Sequence, residues 1–366
     1  MKKYLSMILA GAVIVSALAA CGATGTENTV TTENTKSAGE AETSGEVVAD
    51  EKLQVVTTIF PEYDWVMNVL GDEAEHAEVS MLLDNGVDLH SFQPTADDIL
   101  TISTCDLFIY VGGESDGWVE DALQEAVNED MVVINLLEVL GDSVKEEEVV
   151  EGMEHEHDHE HEEGEEHEHE EGEEHEEGEE HEHEEGEVEY DEHVWLSLRN
   201  TATLVSAISE ALQELDAENA EAYQSNADAY IEQLSALDAE YQAAVDAASV
   251  KTLLFGDRFP FRYLVDDYGL DYYAAFVGCS AETEASFETI TFLAQKVDEL
   301  SLHAVLTIEG NDHRIAETIV QNTQSQDQEI LTMDSMQATT SEDVANGTTY
   351  LSVMTANLEV LKAALQ

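Results

Sequence analysis

Residues 217–248 form a long segment that contains neither glycine nor proline and is rich in Ala, Leu, Tyr and Glu. Because glycine and proline are the residues that most readily interrupt a helix, their absence predicts one continuous helix of about 30 residues. At 1.5 Å of rise per residue, such a helix is about 45 Å long. It could therefore run along a whole pair of domains as a rigid strut. We expect a chain built on such a strut to change conformation through small shifts of loops or lobes rather than through wide hinge closure.

Runs with the length and composition of β-strands alternate with helical patterns on both sides of this segment. Alternating strands and helices predict an α/β fold, here two similar parallel-sheet lobes joined by the long helix. Ligands of parallel sheets bind beyond the carboxyl ends of the strands, so we expect a site in the cleft between the lobes. The predicted strands are 52–59, 78–83, 105–111, 131–135, 252–255, 271–276, 304–308 and 330–332.

The chain is strongly acidic, with 83 Asp and Glu residues against 12 Lys and Arg residues and a formal net charge of −71. Nucleic acid is excluded as a partner, because binding phosphates requires patches of Lys and Arg. Adsorption to an anionic membrane through basic residues is excluded for the same reason. An acidic surplus of this size instead suits cations or a solvated surface.

A low-complexity tract concentrates much of this charge. Residues 146–192 contain 28 acidic residues, no Lys or Arg, and nine of the 14 His residues. Self-repulsion and the lack of apolar residues predict a loop that is disordered without metal, and the Glu neighbours raise the His pKa values, so that metal binding is weak and pH-dependent. We interpret it as a zinc-collecting loop; the alternative is a solvated acidic linker. Its histidines are His155, His157, His159, His161, His167, His169, His175, His181 and His183.

The first 21 residues have the layout of a secretory signal, with Lys2 and Lys3 before an apolar run that ends at Cys21. Small residues before this Cys resemble a bacterial lipobox, which predicts that Cys21 is lipidated and anchors the protein to the outer face of the cell membrane. An ordinary signal peptide with a chance Cys is the alternative. The other cysteines, Cys105 and Cys279, are either a disulfide or two buried thiols, and we favour two thiols.

Two histidines lie at predicted loop ends, each close to an Asp. His90 belongs to the segment GVDLHSFQPT, and His193 to DEHVWL, directly after the acidic tract. Neutral imidazole is a common ligand of Zn²⁺ and related ions. One such His alone is more often structural, and the pair raises the case for a metal site only modestly.

These segments and the long helix resemble the substrate-binding lipoproteins of zinc and manganese ABC importers, from about residue 52 to residue 366. The resemblance implies two α/β lobes with the metal between them and identifies His90 and His193 as metal ligands. A loop rich in His and acidic residues just before the His-Val-Trp motif is typical of the zinc-importing members of this family.

The remaining ligands are less clearly implied, because Arg258 stands where the family usually has a third His. Manganese-type relatives use a Glu later in the chain, and our alignment places Gly278 there. An Arg side chain stays protonated and cannot bind a cation. Either fewer protein ligands are used, or a nearby carboxylate substitutes, for which the candidates are Asp257, Glu282 and Glu284.

The fourth ligand of the family follows a strand and is usually Asp. Asp312 is our preferred assignment, with His313, the next residue, as the alternative. Glu309 either binds the ion or neutralises Arg258 across the cleft, since an uncompensated Arg beside a dication is costly.

The sequence thus predicts an extracytoplasmic, lipid-anchored monomer that binds Zn²⁺, with Mn²⁺ as the alternative, and delivers it to an ABC-transporter permease without catalysis. A surface metal-storage or adhesion protein is a second possibility. A metallohydrolase is disfavoured, because the sequence has no His-Glu-x-x-His motif and no nucleophile elbow. The predicted divisions are a signal peptide (1–21), a tether (22–51), an N-terminal lobe (52–145), the His/Glu-rich loop (146–190), the ligand segment and its helix (191–215), the connecting helix (216–248) and a C-terminal lobe (249–366).

Overall fold

A computed structural model describes residues 52–153, 189–280, 284–310 and 312–366. The predictions for the signal segment, Cys21, the tether, Glu282 and the nine histidines of the acidic tract therefore lie outside the described residues. None of the described helices is both long enough and apolar enough to cross a membrane.

The first half of the chain builds a four-stranded sheet in which all neighbouring strands are parallel. The strand order is β2-β1-β3-β4, with Val55 opposite Leu107 and Leu107 opposite Val132. The strands are β1 (Leu53–Thr57), β2 (Ala77–Met81), β3 (Leu107–Tyr110) and β4 (Val132–Asn135), and the accompanying helices are α1 (Phe60–Leu70), α2 (Ala96–Thr104), α3 (Val119–Gln124) and α4 (Leu136–Leu140).

Two helices follow the acidic tract: α5 (Leu198–Leu215) and α6 (Ala220–Ala247). The α5 helix begins directly after the His193 segment because Ser197 caps it, its hydroxyl accepting a 3.0 Å hydrogen bond from Asn200 N. The 28 residues of α6 span about 42 Å, in agreement with the predicted long helix.

The second half repeats the parallel α/β pattern with strand order β6-β5-β7-β8. The prediction ended its first strand at residue 255, whereas β5 continues to Phe259 with a shift of register between Phe255 and Arg258. Gly256 begins this irregular stretch, as is common where a strand bulges. The remaining elements are β5 (Thr252–Phe259), α7 (Arg262–Tyr268), β6 (Asp271–Val277), α8 (Phe287–Leu300), β7 (Ala304–Thr307), α9 (Arg314–Asn322), β8 (Glu329–Thr332), α10 (Ser341–Ala345) and α11 (Tyr350–Ala364).

The long helix α6 ties the two lobes together. The Tyr230 hydroxyl donates a 3.2 Å hydrogen bond to Asp64 on α1, and the Tyr241 hydroxyl donates a 2.6 Å bond to the carbonyl of Met354 on α11. One continuous apolar core includes residues of both sheets and the inward face of α6, which repeats every three or four residues. The predicted fold, two parallel-sheet α/β lobes joined by a long helix, is confirmed.

Candidate metal centre

His90 lies on a short 3₁₀ turn, Leu89–Ser91, in the loop that follows β2. Asp88 caps this turn, its Oδ1 atom accepting a 3.0 Å hydrogen bond from His90 N. The ring atom Nδ1 is 2.8 Å from Ser115 Oγ, in the loop after β3, and 3.3 Å from Glu192 Oε2. These contacts fix the plane of the imidazole and leave Nε2 as the atom that faces the cleft.

His193 is completely buried, in the segment that returns from the acidic tract. Asp191 Oδ1 accepts a 2.9 Å bond from His193 N and lies 3.0 Å from Nδ1 of the same residue. Burial lowers the pKa of His193, but the carboxylates of Asp191 and Glu192 outweigh it, so the pKa lies above its ordinary value. The His193 ring also packs at 5.2 Å between centroids on Trp195.

The Nε2 atoms of His90 and His193 face each other at 3.2 Å. When both Nδ1 atoms carry protons for their oxygen partners, both Nε2 atoms present lone pairs, and this close approach requires a shared proton or a cation. In a tetrahedral zinc site, two nitrogens bound to the same ion are about 3.3 Å apart. The separation of the two Nε2 atoms therefore suits a single metal ion bound by both rings.

A sulfur atom lies beside this pair of nitrogens. The Sγ atom of Cys279 and the imidazole nitrogens of His90 and His193 all lie within 4.8 Å of one another. Cys279 follows β6 and is partly buried, and Cys105 is buried in the first lobe; both are free thiols rather than a disulfide. Burial, together with Asp191, Glu192 and Glu147, raises the pKa of the Cys279 thiol above its ordinary value.

Position 278, directly before Cys279, accepts only a residue without a side chain. A Cβ atom on Gly278 would lie 2.9 Å from Phe259 O and 3.0 Å from Cε1 of His193. A side chain at this position, where our alignment placed the Glu of manganese-type relatives, would therefore collide with the imidazole.

Buried carboxylates also lie close to the two imidazoles and to their hydrogen-bond partners. Glu192 Oε1 accepts a 2.8 Å bond from Ser115 N, and this approach requires Gly113, where a Cβ atom would lie 2.4 Å from the same oxygen. Burial alone would raise the Glu192 pKa, but hydrogen bonds from His90 and Ser115 hold it below its usual range. Burial, assisted by the charge of Glu192, raises the pKa of Asp116 to about 7.

The structure places Arg258 against the loop that carries His90. Its Nη2 donates to Asp88 Oδ2, and its Nη1 donates a 3.3 Å bond to the carbonyl of Ser280. We expected a carboxylate to neutralise this charge and suggested Glu309; the carboxylate that pairs with Arg258 is instead Asp88. Arg258 holds the Asp88 pKa below its usual value, against the effect of burial.

Glu309 uses both of its oxygens within its own lobe. Oε1 accepts hydrogen bonds from Ser335 Oγ at 2.6 Å and Gln337 N at 3.1 Å, and Oε2 accepts one from Ser335 N at 2.6 Å. Between them, Met336 has a left-handed backbone with φ of 65°. Glu309 therefore stabilises a strained turn, and the Ser335 carbonyl in that turn accepts a 2.8 Å bond from the Trp195 indole.

The other predicted ligands that the structure describes do not join the group of His90, His193 and Cys279. Asp312 is exposed and accepts hydrogen bonds from its neighbour Arg314 at 2.7–2.9 Å. Asp257 accepts from Arg258 N and Ile308 N, and His313 caps α9. Asp257, Glu284, Glu309 and Asp312 line a cleft of about 600 Å³ together with His90. Whether any of them binds the ion stays a prediction.

Cys279 was missed as a site residue, because a single cysteine has no spacing pattern to mark it. The available signal was its place directly after a predicted strand. It is also next to Gly278, which occupies the position of the Glu in manganese-type relatives. A second cleft, of about 660 Å³, reaches Cys279 and His90, and Glu114, Glu147, Glu189 and Glu192 line it. Carboxylates outnumber cationic side chains in the lining of both clefts, which favours the entry of a cation.

The two ends of the acidic tract are pinned together beside His193. Asp191 N donates a 2.9 Å bond to the Lys145 carbonyl, and Glu147 N donates one of the same length to the Glu189 carbonyl. The Tyr263 hydroxyl, from α7, donates to the Asp191 carbonyl at 2.7 Å and accepts from Lys145 N at 3.1 Å. The segments Lys145–Glu147 and Glu189–Asp191 thus lie side by side.

Comparison with known proteins identifies similar chains. The "Zinc-binding lipoprotein AdcA" of Streptococcus pneumoniae serotype 4 is 31% identical over 321 residues, which is 87% of this chain and 57% of AdcA. The chain thus spans little more than half the length of these AdcA relatives. The "High-affinity zinc uptake system protein ZnuA" of Bacillus subtilis is 27% identical over 334 residues, covering 91% of this chain and 92% of that protein.

Among solved structures, the Zn(II)-bound ZnuA-like domain of Streptococcus pneumoniae AdcA has a TM-score of 0.63 at 26% identity, covering 86% of this chain and 99% of the domain. Residues 55–364 match the family described as "Zinc-uptake complex component A periplasmic". This match covers most of the chain, including both lobes, the long helix, His90 and His193. The chain therefore belongs to the family of the periplasmic component A of zinc-uptake complexes.

Proposed function

We propose that this protein is the extracytoplasmic substrate-binding component of a zinc ABC importer, which captures Zn²⁺ with His90 and His193. The observation that carries the proposal is the approach of their Nε2 atoms to 3.2 Å in a buried position. Each Nδ1 atom has an oxygen partner that orients its ring, as is usual for metal-binding histidines.

Zinc suits this site better than manganese. Imidazole nitrogen is a good ligand for Zn²⁺, whereas Mn²⁺ prefers carboxylate, carbonyl and water oxygens. The names of the AdcA and ZnuA relatives refer to zinc in each case. The carboxylates that could favour manganese, Glu309 and Asp312, have hydrogen-bond partners of their own.

The protein delivers its ion to a membrane permease, and acts as a monomer held at the outer face of the membrane by lipid on Cys21. The name of the pneumococcal relative includes "lipoprotein", in keeping with the lipobox-like segment that ends at Cys21. Capture and release need binding alone and no chemical conversion. Because the two sheets share one core, release proceeds through small movements of the ligand loops.

The test is a zinc titration of the metal-free protein against a competing chelator. The unaltered chain should show one tight site, and His90→Ala and His193→Ala should each weaken it by more than about 100-fold, because each removes a ligand. His303→Ala is the control, since His303 is exposed and bonds the carbonyl of Ala363 at 2.8 Å. Tight binding that survives both ligand substitutions would overturn the proposal and favour a storage role for the acidic tract.

A further inference from the structure

We propose that Cys279 is the third protein ligand of the metal and binds it as a thiolate between His90 and His193. The inference rests on the proposed function, because it concerns the same ion. It assigns the position left open by Arg258, which stands where a third imidazole was expected and cannot bind a cation.

The geometry supports sulfur as the donor. The Cys279 Sγ lies within 4.8 Å of the ligand nitrogens of both histidines, and the group of three contains no other described Asp, Glu, His or Cys. A zinc ion with bonds of about 2.05 Å to nitrogen and 2.3 Å to sulfur separates these atoms by about 3.5 Å. A movement of at most about 1.3 Å by the loop after β6 would therefore bring the sulfur within bonding distance of the same ion.

The backbone around Cys279 is held toward His90. Cys279 N donates a 3.2 Å hydrogen bond to Glu147 Oε1, and the carbonyl of the next residue, Ser280, accepts from Arg258. The same guanidinium binds Asp88, whose other oxygen caps the turn of His90. Arg258 is thus a positioning residue that joins the His90 loop to the Cys279 loop.

The neighbouring carboxylates are committed to other contacts. Asp191 holds His193, and Asp88 pairs with Arg258. Glu192 Oε1 accepts from Ser115 N, and its Oε2 lies 3.3 Å from Nδ1 of His90 rather than at the Nε2 pair. When the ion binds, the Cys279 proton leaves to solvent and the sulfur electron pair forms the bond to the metal. The resulting donor set, two imidazoles and one thiolate, is softer than sets with a carboxylate and favours Zn²⁺ over Mn²⁺.

The first experiment uses Co²⁺ as a spectroscopic probe of the tight site in the full chain. A Cys21→Ser background leaves Cys105 and Cys279 as the remaining thiols. One equivalent of Co²⁺ should give a near-ultraviolet thiolate-to-metal charge-transfer band. Cys279→Ala should abolish this band, while the matched Cys105→Ala control, which alters a thiol buried in the first lobe, should retain it.

The results separate the inference from the function on which it rests. If Co²⁺ binds tightly in a His90-dependent manner but without the charge-transfer band, Cys279 is not a ligand and the metal-receptor function stands. A band that persists in Cys279→Ala would also overturn the inference. If tight binding is absent, or unaffected by His90→Ala, both proposals fail.

The second experiment measures metal preference by competition between Zn²⁺ and Mn²⁺. Cys279→Ala should lower zinc affinity by about 100-fold or more, which exceeds the usual loss when a hydrogen-bond partner of a ligand is removed. The same substitution should lower manganese affinity by less than about tenfold, because Mn²⁺ gains little from a sulfur ligand. Near-ultraviolet circular dichroism serves as the check on folding. An equal loss for both ions would contradict a specific role for the sulfur.

Discussion

The two sides of the cleft are built differently. On the imidazole side, which we define as His90, His193 and their partners, the side chains are almost fully buried and each Nδ1 has an oxygen partner, so that Nε2 points at the neighbouring ring. On the carboxylate side, defined as Asp257, Glu309 and Asp312, the oxygens accept hydrogen bonds from their own lobe. The two histidines that we propose as ligands thus differ from these carboxylates in keeping one donor atom free of hydrogen-bond partners among the described residues, apart from each other.

Asp191→Ala should produce the largest effect among substitutions of residues that do not bind the ion. It removes the acceptor of both His193 N and Nδ1, so we expect zinc affinity to fall by about 10–100-fold. The matched change on the carboxylate side, Asp312→Ala, should alter zinc affinity by less than about twofold, because Asp312 is exposed and paired with Arg314. Equal losses in chelator-competition titrations would abolish the distinction between the two sides.

Gly278→Ala tests the imidazole side without removing a hydrogen bond. The added methyl group would lie 2.9 Å from Phe259 O and 3.0 Å from His193 Cε1, so the loop after β6 must move away from β5 or the ring must give by a few tenths of an ångström. We expect zinc affinity to fall by about tenfold, which is what a displaced but still oriented ligand costs. Isothermal titration measures the change, and unaltered affinity would show that the His193 ring has more freedom than its burial suggests.

Glu309→Gln tests the carboxylate side. The amide cannot accept all the hydrogen bonds from Ser335 and Gln337, so the free energy of unfolding should fall by about 1–2 kcal/mol. Zinc affinity should change by less than about threefold, since the turn lies behind Trp195 and not in the group of ligand atoms. Denaturant unfolding and zinc titration are measured on the same preparation. A large loss of affinity with unchanged stability would make Glu309 a ligand, as the sequence suggested.

Deleting residues 154–187 should have the smallest effect on the tight site. The deletion removes the nine histidines of the tract, so the number of weakly bound zinc ions should fall. The tight affinity should stay within about twofold, because the bonds that pin Lys145 to Asp191 and Glu147 to Glu189 remain. Equilibrium dialysis across a range of zinc concentrations separates the two classes, and loss of the tight site would mean that the tract itself supplies a ligand.

Local patterns were sufficient to predict most of the fold. The absence of Gly and Pro predicted α6, and short runs of β-branched and apolar residues predicted most strands to within a few residues. The extension of β5 through Asp257 and Arg258 was missed, since a Gly-Asp pair resembles a loop when its strand partner is unknown. Short helices such as α4 and α7 carry too few turns to show a period.

The site was predictable only in part. The motifs around His90 and His193 identified two residues that the fold brings together. The positions of Cys279 and Arg258 depend on how the end of β5 meets the loops after β6 and β2, and no local spacing records this. Glu309 and Asp312 occur in a suitable segment, but their hydrogen-bond partners become visible only in three dimensions.

The pinned ends of the acidic tract have a consequence for how this protein can change over evolutionary time. Lys145 and Asp191 are joined by a backbone hydrogen bond, and both contact the Tyr263 hydroxyl. The two ends of the tract are therefore held together by the fold itself. Lengthening an already closed loop adds little free-energy cost, since closure entropy grows only with the logarithm of length. Duplication or loss of its His-Glu repeats would therefore change the number of proposed weak metal sites over evolutionary time without altering the proposed tight site.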